Sequence, residues 1–188
     1  MALRAGVLTV SDAGSRGERE DSAGPAVAAV LEGVGFDVAE HALLPDEQEE
    51  IAALLARWCD EGGLDLVVTA GGTGLAPRDR TPEATATVLD YEVPGLAEAM
   101  RAAGRASTPF ASLSRGRSGV RGRTLLLNLP GSERGARESI EAVAVVLPHA
   151  CRQLDSPRPR GPGRGGPDET HGELAAGRGG ERSCASTC

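Results

Sequence analysis

The sequence contains no lysine. Arginine alone carries the positive charge. That excludes mechanisms built on a lysine, such as a Schiff base to a carbonyl substrate or the phosphate-gripping lysine of a Walker loop. A coding bias toward arginine explains the absence more simply than any function. Aromatic residues make up only 2% of the chain and are Phe36, Trp58, Tyr91 and Phe110. A core must therefore be assembled from Val, Leu, Ile and Ala. No apolar run approaches the roughly 18 residues that a membrane-spanning helix needs. The N-terminus has no basic stretch leading into an apolar stretch and a cleavage site. These absences lead us to expect a cytoplasmic protein without membrane contact. Cysteine is sparse too: Cys59, Cys151, Cys184 and Cys188 form no dense disulfide framework. The terminal "CASTC", with His171 upstream, matches no strong zinc spacing. A net charge of -7 argues against a general nucleic-acid binder.

What is present reads as one α/β domain over residues 1–154, followed by a Gly/Pro/Arg-rich segment, 155–188, expected to be disordered. At 188 residues the chain is long enough to bury a real core. Apolar, β-branched runs at residues 3–11, 37–44, 64–70 and 124–129 read as strands. Helical stretches separate them. One starts with Pro25 in its first turn. A second places Ile51, Leu54, Leu55 and Trp58 at helical spacing, with Asp46 as its expected N-cap and Glu49 completing a capping box. A third is expected to be capped by Thr81 with Pro82 at its first position. A fourth covers residues 94–104, and one long helix is expected after residue 130. Strands alternating with helices imply a largely parallel sheet covered on both faces, a three-layer sandwich.

Ligands of such sheets bind beyond the carboxyl ends of the strands. Four segments leave a strand there: Ser11-Asp12, Pro45-Asp46, Gly71-Gly72-Thr73-Gly74 and Pro130-Gly131-Ser132. Successive glycines offer backbone N–H groups with no Cβ in the way, and such a concavity binds phosphate oxygens. On its own, however, "GGTG" reads as a structural turn ahead of a phosphate seat. Asp46 and Asp79 could supply carboxylate oxygens to Mg²⁺. Spacing alone favours a helix cap for the first and a turn-stiffening aspartate for the second. Ser132 reads as an N-cap, or as the mouth of a helix open to an anion. Arg115, Arg117, Arg121 and Arg123 form a basic cluster with no acid between them. It is either a solvated loop or an attractor of phosphate. Asp12 and Asp21 lie in a long Gly- and Ser-containing loop of the kind that carries function or merely covers a surface.

Six segments in order resemble the MogA/MoaB family of molybdenum-cofactor biosynthesis proteins. They are the Thr9–Pro25 stretch beginning "TVSD", then "LLPDEQ", "TAGGTGLAPRDRTPEAT", "PGLAEAMR", "TPFASLSRG" and "LNLPGS". The resemblance covers residues 3–154, and Ala13 and Ala23 are modest departures from it. It implies the MogA/MoaB-like molybdopterin-binding fold and an adenylyltransferase that joins molybdopterin to AMP with Mg-ATP and releases pyrophosphate. It also implies a homotrimer, with other cofactor-biosynthesis proteins as partners. Asp46 and Asp79 match the family's functional aspartates and its Mg²⁺ site. Gly71, Gly72, Thr73, Gly74, Pro130, Gly131 and Ser132 match the nucleotide and phosphate positions. Ser11, Asp12, Asp21, Ser22, Ser114 and Arg115 match the substrate cleft. Three rival readings stand beside this one: a molybdopterin-binding carrier of MoaB type without catalysis, a relative that inserts molybdate, and a nucleotide-linked hydrolase of the competence-damage type.

Overall fold

A computed structural model describes residues 2–155. Of the Gly/Pro/Arg-rich segment only Asp155 is described; residues 156–188, with His171, Cys184 and Cys188, lie outside the described residues. In chain order the elements are β1 (Leu3–Val10), α1 (Asp12–Ser15), α2 (Ala23–Gly33), β2 (Phe36–Leu44), α3 (Gln48–Asp60), β3 (Leu66–Ala70), α4 (Thr81–Val88), β4 (Tyr91–Glu92) and α5 (Pro94–Ser107). A 3₁₀ turn at Pro109–Leu113 leads to β5 (Ser118–Arg121), β6 (Thr124–Leu129), α6 (Glu133–Val143) and α7 (Leu147–Asp155). The sheet order is β2-β1-β3-β6-β5-β4. The first four strands are parallel, and β5 and β4 add an antiparallel edge.

Alternation along the strands sorts the core into two layers. Val7, Val68 and Leu127 point to one face, where Val27 and Leu31 of α2, Met100 of α5, Ile140 of α6 and Leu147 of α7 cover them. Leu8, Val67 and Leu126 point to the other, under Ile51, Leu55 and Trp58 of α3 and Ala84 and Val88 of α4. Strands buried on both faces are mostly apolar, which is why β3 and β6 read as hydrophobic runs interrupted only by Thr69, Thr124 and Asn128. This is the expected three-layer α/β sandwich. No described helix is long and apolar enough to cross a membrane.

The structure corrects four local expectations. Asp46 does not cap α3: the helix starts at Gln48 with Glu47 at the cap, and no side chain closes a capping bond there. Thr81 lies inside α4 rather than at its cap, which falls on Arg80. The arginine-rich stretch is not a loop throughout. It contains β5, which turns at Gly122 into β6. The last helix is two helices, because a 3₁₀ turn at Ala144–Val146 separates α6 from α7. Pro148 sits in the first turn of α7, where its missing N–H costs nothing; further into a continuous helix it would break a hydrogen bond.

Candidate functional site

Register brings the strand ends into one row. Thr9 is level with Leu43 of β2 and Ala70 of β3, and Ala70 is level with Leu129 of β6. The residues that follow these positions therefore emerge at a single edge of the sheet. Gly71 turns the chain there with φ +119, and a Cβ on it would overlap the carbonyl oxygen of Val10. Its N–H donates to the Leu129 carbonyl at 3.1 Å. Gly71 thus serves the fold, and its amide is not a phosphate donor as the sequence suggested. Among the described residues no protein acceptor takes the N–H of Gly72, Thr73 or Gly74. These three amides are the donors the loop can offer to a ligand.

Asp46 occupies the centre of the edge. Its Oδ2 accepts the N–H of Asp12 at 3.2 Å, and its own N–H donates to Asp12 Oδ1 at 3.1 Å. Its Oδ1 is buried and has no hydrogen-bond partner. The same is true of the Thr81 hydroxyl, and both atoms border the space that a Cβ on Gly72 would fill. Gly72 has φ +63, and a Cβ there would lie 2.6 Å from Asp46 Oδ1. Burial pushes the Asp46 carboxyl above its ordinary value. The Asp12 amide opposes this, and the charges of Asp12 and Asp79 add to it.

Asp79 reaches the same place from the far end of the loop. Its Oδ2 accepts the N–H of Ala76 at 2.8 Å, so it does stiffen its own turn. It also lines both cavities of the sheet edge. The smaller cavity, about 230 Å³, is polar and is walled by Asp46, Ser11, Asp21 and Ser22. The larger, about 410 Å³, has an apolar wall of Met100, Phe110, Leu113 and Pro130 and a polar side that includes Ser114 and Asn128. Gly72, Asp79, Gly131 and Ser132 line both and form the seam between them. The Ser132 hydroxyl accepts the Gly135 N–H and caps α6, as expected.

Three residues expected to line the substrate cleft have other employment. Asp12 lines neither cavity; Arg78 holds it bidentately at 2.8 and 3.0 Å, which with the Asp46 amide keeps its carboxyl below its ordinary value. Asp21 borders the smaller cavity, but Thr9 Oγ1 and the Gly24 N–H occupy its carboxylate at 2.7 and 2.9 Å. Arg115 turns into the protein and is bound by loop carbonyls and Glu83. The basic cluster is likewise neutralised: Arg117 pairs with Glu92, Arg121 with Asp60, and Arg123 with Asp155. Sequence reasoning missed Arg78, which also binds Glu47 at 2.8 Å, and the wall from Met100 to Leu113. A charged residue directly before the Asp79 position was the available signal for the first. For the second, it was an apolar "PFASL" with no strand or helix period.

Among the described residues no group of three or more His, Cys, Asp or Glu side chains is placed to hold a metal. A cation here would need ligands from substrate and water.

A family model described as "Probable molybdopterin binding domain" matches residues 6–149. The chain belongs to this family. Relatives within and around the molybdopterin-binding family agree. The chain is 42% identical over 149 residues to a molybdopterin adenylyltransferase of Helicobacter pylori, covering 78% of this chain and 85% of that one. It is 41% identical over 144 residues to the molybdopterin adenylyltransferase of Escherichia coli K12, covering 75% and 73%. It also matches the molybdenum cofactor synthesis protein cinnamon of Drosophila melanogaster at 40%, but spans only 25% of that longer protein. Among solved structures it is similar to the molybdopterin biosynthesis enzyme MoaB of Thermus thermophilus, with 61% identity, a TM-score of 0.77, and coverage of 81% and 96%. The protein CinA of Thermoplasma acidophilum, at 18% identity and a TM-score of 0.60, shares the fold alone.

Proposed function

We propose that this chain is a molybdopterin adenylyltransferase of molybdenum cofactor biosynthesis, acting on molybdopterin and Mg-ATP. The terminal phosphate of molybdopterin attacks the α-phosphorus of ATP. A phosphorus–oxygen bond forms to the pterin phosphate, the bond to the β-phosphate bridging oxygen breaks, and pyrophosphate leaves with that electron pair. The observation that carries this reading is the seam: Gly72 and Asp79 line both a polar and an apolar-walled cavity, with Asp46 beside them in the polar one and the unpartnered N–H groups of Thr73 and Gly74 on the side of the other. Two cavities joined at an anion-binding seam suit two substrates that react through their phosphates.

No protein nucleophile is required, so the missing lysine is no obstacle. The chain's own work is positioning and fixed charge. The Gly72–Gly74 amides hold phosphate oxygens, the start of α6 at Gly131-Ser132 adds its N-terminal dipole, and the apolar wall from Met100 to Leu113 excludes water beside a ring. Asp46 and Asp79 would hold Mg²⁺, and the orphaned buried oxygen of Asp46 fits that role. Mg²⁺ keeps several waters and takes one or two carboxylates together with substrate phosphates, which suits a site without a third acid. When bound it neutralises charge on the triphosphate.

The reading includes a cytoplasmic homotrimer that works beside other cofactor-biosynthesis proteins; sedimentation checks the assembly. The decisive assay incubates the protein with molybdopterin and Mg-ATP and measures pyrophosphate and adenylylated pterin. Pterin binding without either product, under conditions where a known adenylyltransferase turns over, would leave the carrier reading.

A further inference from the structure

We propose that Arg115 is a positioning residue: it staples the two ends of the Gly74–Asp79 loop and so sets where the Asp79 carboxylate stands in the seam. One residue makes all the contacts. The Arg115 N–H donates to the Thr73 carbonyl at 2.9 Å. Its Nε donates to the Gly74 carbonyl and one terminal nitrogen to the Asp79 carbonyl, each at 2.7 Å. The other terminal nitrogen pairs with the Glu83 carboxylate in α4. The guanidinium therefore ties the start of the loop, its end and the following helix into one plane.

Across the base of the loop the Thr81 N–H donates to the Gly72 carbonyl at 3.2 Å; little else fixes the span between them. Leu75, Ala76, Pro77 and Arg78 are exposed. Within the loop, Asp79 and Ala76 bond only to each other. On the outside, the loop is tied by ion pairs of Arg78, a side chain more than half exposed, and such pairs are weak. Arg115 is two-thirds buried, and its forked donors point in three directions that a single ammonium could not serve. The side chain of Asp79 faces the cavities while its carbonyl is held from behind by Arg115. Binding of the loop by its backbone and presentation of the carboxylate are thus separate tasks on separate sides. Arg115 is absent from the lining of the two cavities that meet at the seam and borders a separate one of about 210 Å³ instead.

The inference deepens the adenylyl-transfer reading, but one arm of its test does not depend on it. Amide hydrogen exchange of the unliganded full chain is compared between wild type and Arg115→Ala. Exchange should accelerate at residues 75–80 while β1, β3 and β6 keep their protection. Unchanged exchange in the loop overturns the proposal. In the pyrophosphate assay, kcat of Arg115→Ala should fall about 100-fold, as expected when a reacting group is misplaced, with the KM for ATP changed less than about threefold. Added guanidinium should restore part of kcat, and Arg115→Lys should not. A raised KM with kcat intact would make Arg115 a substrate contact and sink the idea. If Arg115→Ala does not fold, Glu83→Ala provides the second variant: it leaves the loop carbonyls bound and removes the acceptor at one end of the staple, so exchange at residues 79–80 should rise. No rise overturns the proposal. A wild type that releases no pyrophosphate refutes adenylyl transfer, and the exchange comparison still decides the staple.

Discussion

Asp12 and Asp46 are cross-linked by reciprocal bonds, each accepting the other's backbone N–H in its carboxylate. The two carboxyls nevertheless titrate in opposite directions. Arg78 neutralises Asp12, whereas Asp46 is buried with one oxygen unpartnered. Asp46 is therefore held in place by one oxygen, while the other is buried with its hydrogen-bonding capacity unused. That is an arrangement suited to a cation that arrives with its substrate.

Asp46→Asn keeps an oxygen for the Asp12 amide and removes the charge. We expect adenylyl transfer to fall about 100-fold or more, with the folded state at neutral pH no less stable than wild type. Pyrophosphate release and a thermal midpoint measured on the same preparation check both halves. Activity within about threefold of wild type would remove Asp46 from the metal-assisted step.

The pH dependence follows from the opposite shifts. Asp46 has its folded pKa raised above 3.8, so ionising it costs stability: its favourable contribution is complete below 3.8 and is lost as pH rises through the folded value. Asp12 has its folded pKa lowered, so its contribution is present above 3.8 and lost as pH falls through the folded value. The stability gained by Asp46→Asn should therefore be largest near neutrality and vanish in acid. The stability lost by Asp12→Asn should also be largest near neutrality. Urea midpoints across an acid series test the signs, and a gain for Asp46→Asn that grows in acid would contradict the burial argument.

Three glycines with positive φ separate strain from crowding. Gly122 has φ +58 and open space where a Cβ would go; Gly72 has φ +63 and abuts the Asp46 and Thr81 side chains; Gly71 has φ +119 and abuts the backbone of β1. Gly122→Asn should cost about 1 kcal/mol or less, because asparagine tolerates this conformation. Gly72→Ala should cost about 1–3 kcal/mol and displace the Asp46 carboxylate. Gly71→Ala should be the worst of the three, since a main-chain carbonyl cannot move aside as a side chain can. Chemical denaturation gives the order, and equal costs at Gly71 and Gly122 would refute it.

Arg78 binds Asp12 and Glu47 across an exposed surface. Arg78→Ala should cost less than about 1 kcal/mol, as exposed pairs do. The cost should shrink toward zero near 1 M salt, where the screening length is about 3 Å. A cost independent of salt would mean that the guanidinium supports packing instead.

The arrangement of strand ends was legible in the sequence because parallel strands with apolar faces on both sides leave little freedom. Once β1, β2, β3 and β6 share a direction, Ser11, Pro45, Gly71 and Pro130 must lie on one edge. The employment of individual polar groups was not legible. Asp46 looked like a helix cap because local spacing reveals only local partners, and its actual partner, Asp12, lies 34 residues away. Arg115 looked like a free cation because Glu83, 32 residues distant, reaches it only through the fold. The β4 and β5 strands are two and four residues long, too short for a period to be read. The break at Pro148 was visible in principle, but the apolar spacing continues across it.

Asn128 illustrates a polar group whose loss should cost the fold more than its size suggests. It lies in β6 and is buried. Its amide donates to the hydroxyls of Thr69 and Thr85 at 3.0 and 2.9 Å, while its carbonyl accepts the Arg117 N–H at 3.1 Å. These bonds link β3, α4 and the approach to β5 behind the larger cavity. Asn128→Ala removes all three and leaves two buried hydroxyls without their donor, an expected loss of about 2–3 kcal/mol. Asn128→Asp should be worse at neutral pH: the carboxylate cannot donate, and its charge is buried without a counter-ion. That excess over alanine should disappear as acid protonates the new carboxyl. Thermal midpoints of the two variants at neutral and acid pH test this, and an aspartate variant as stable as wild type at neutrality would overturn the network.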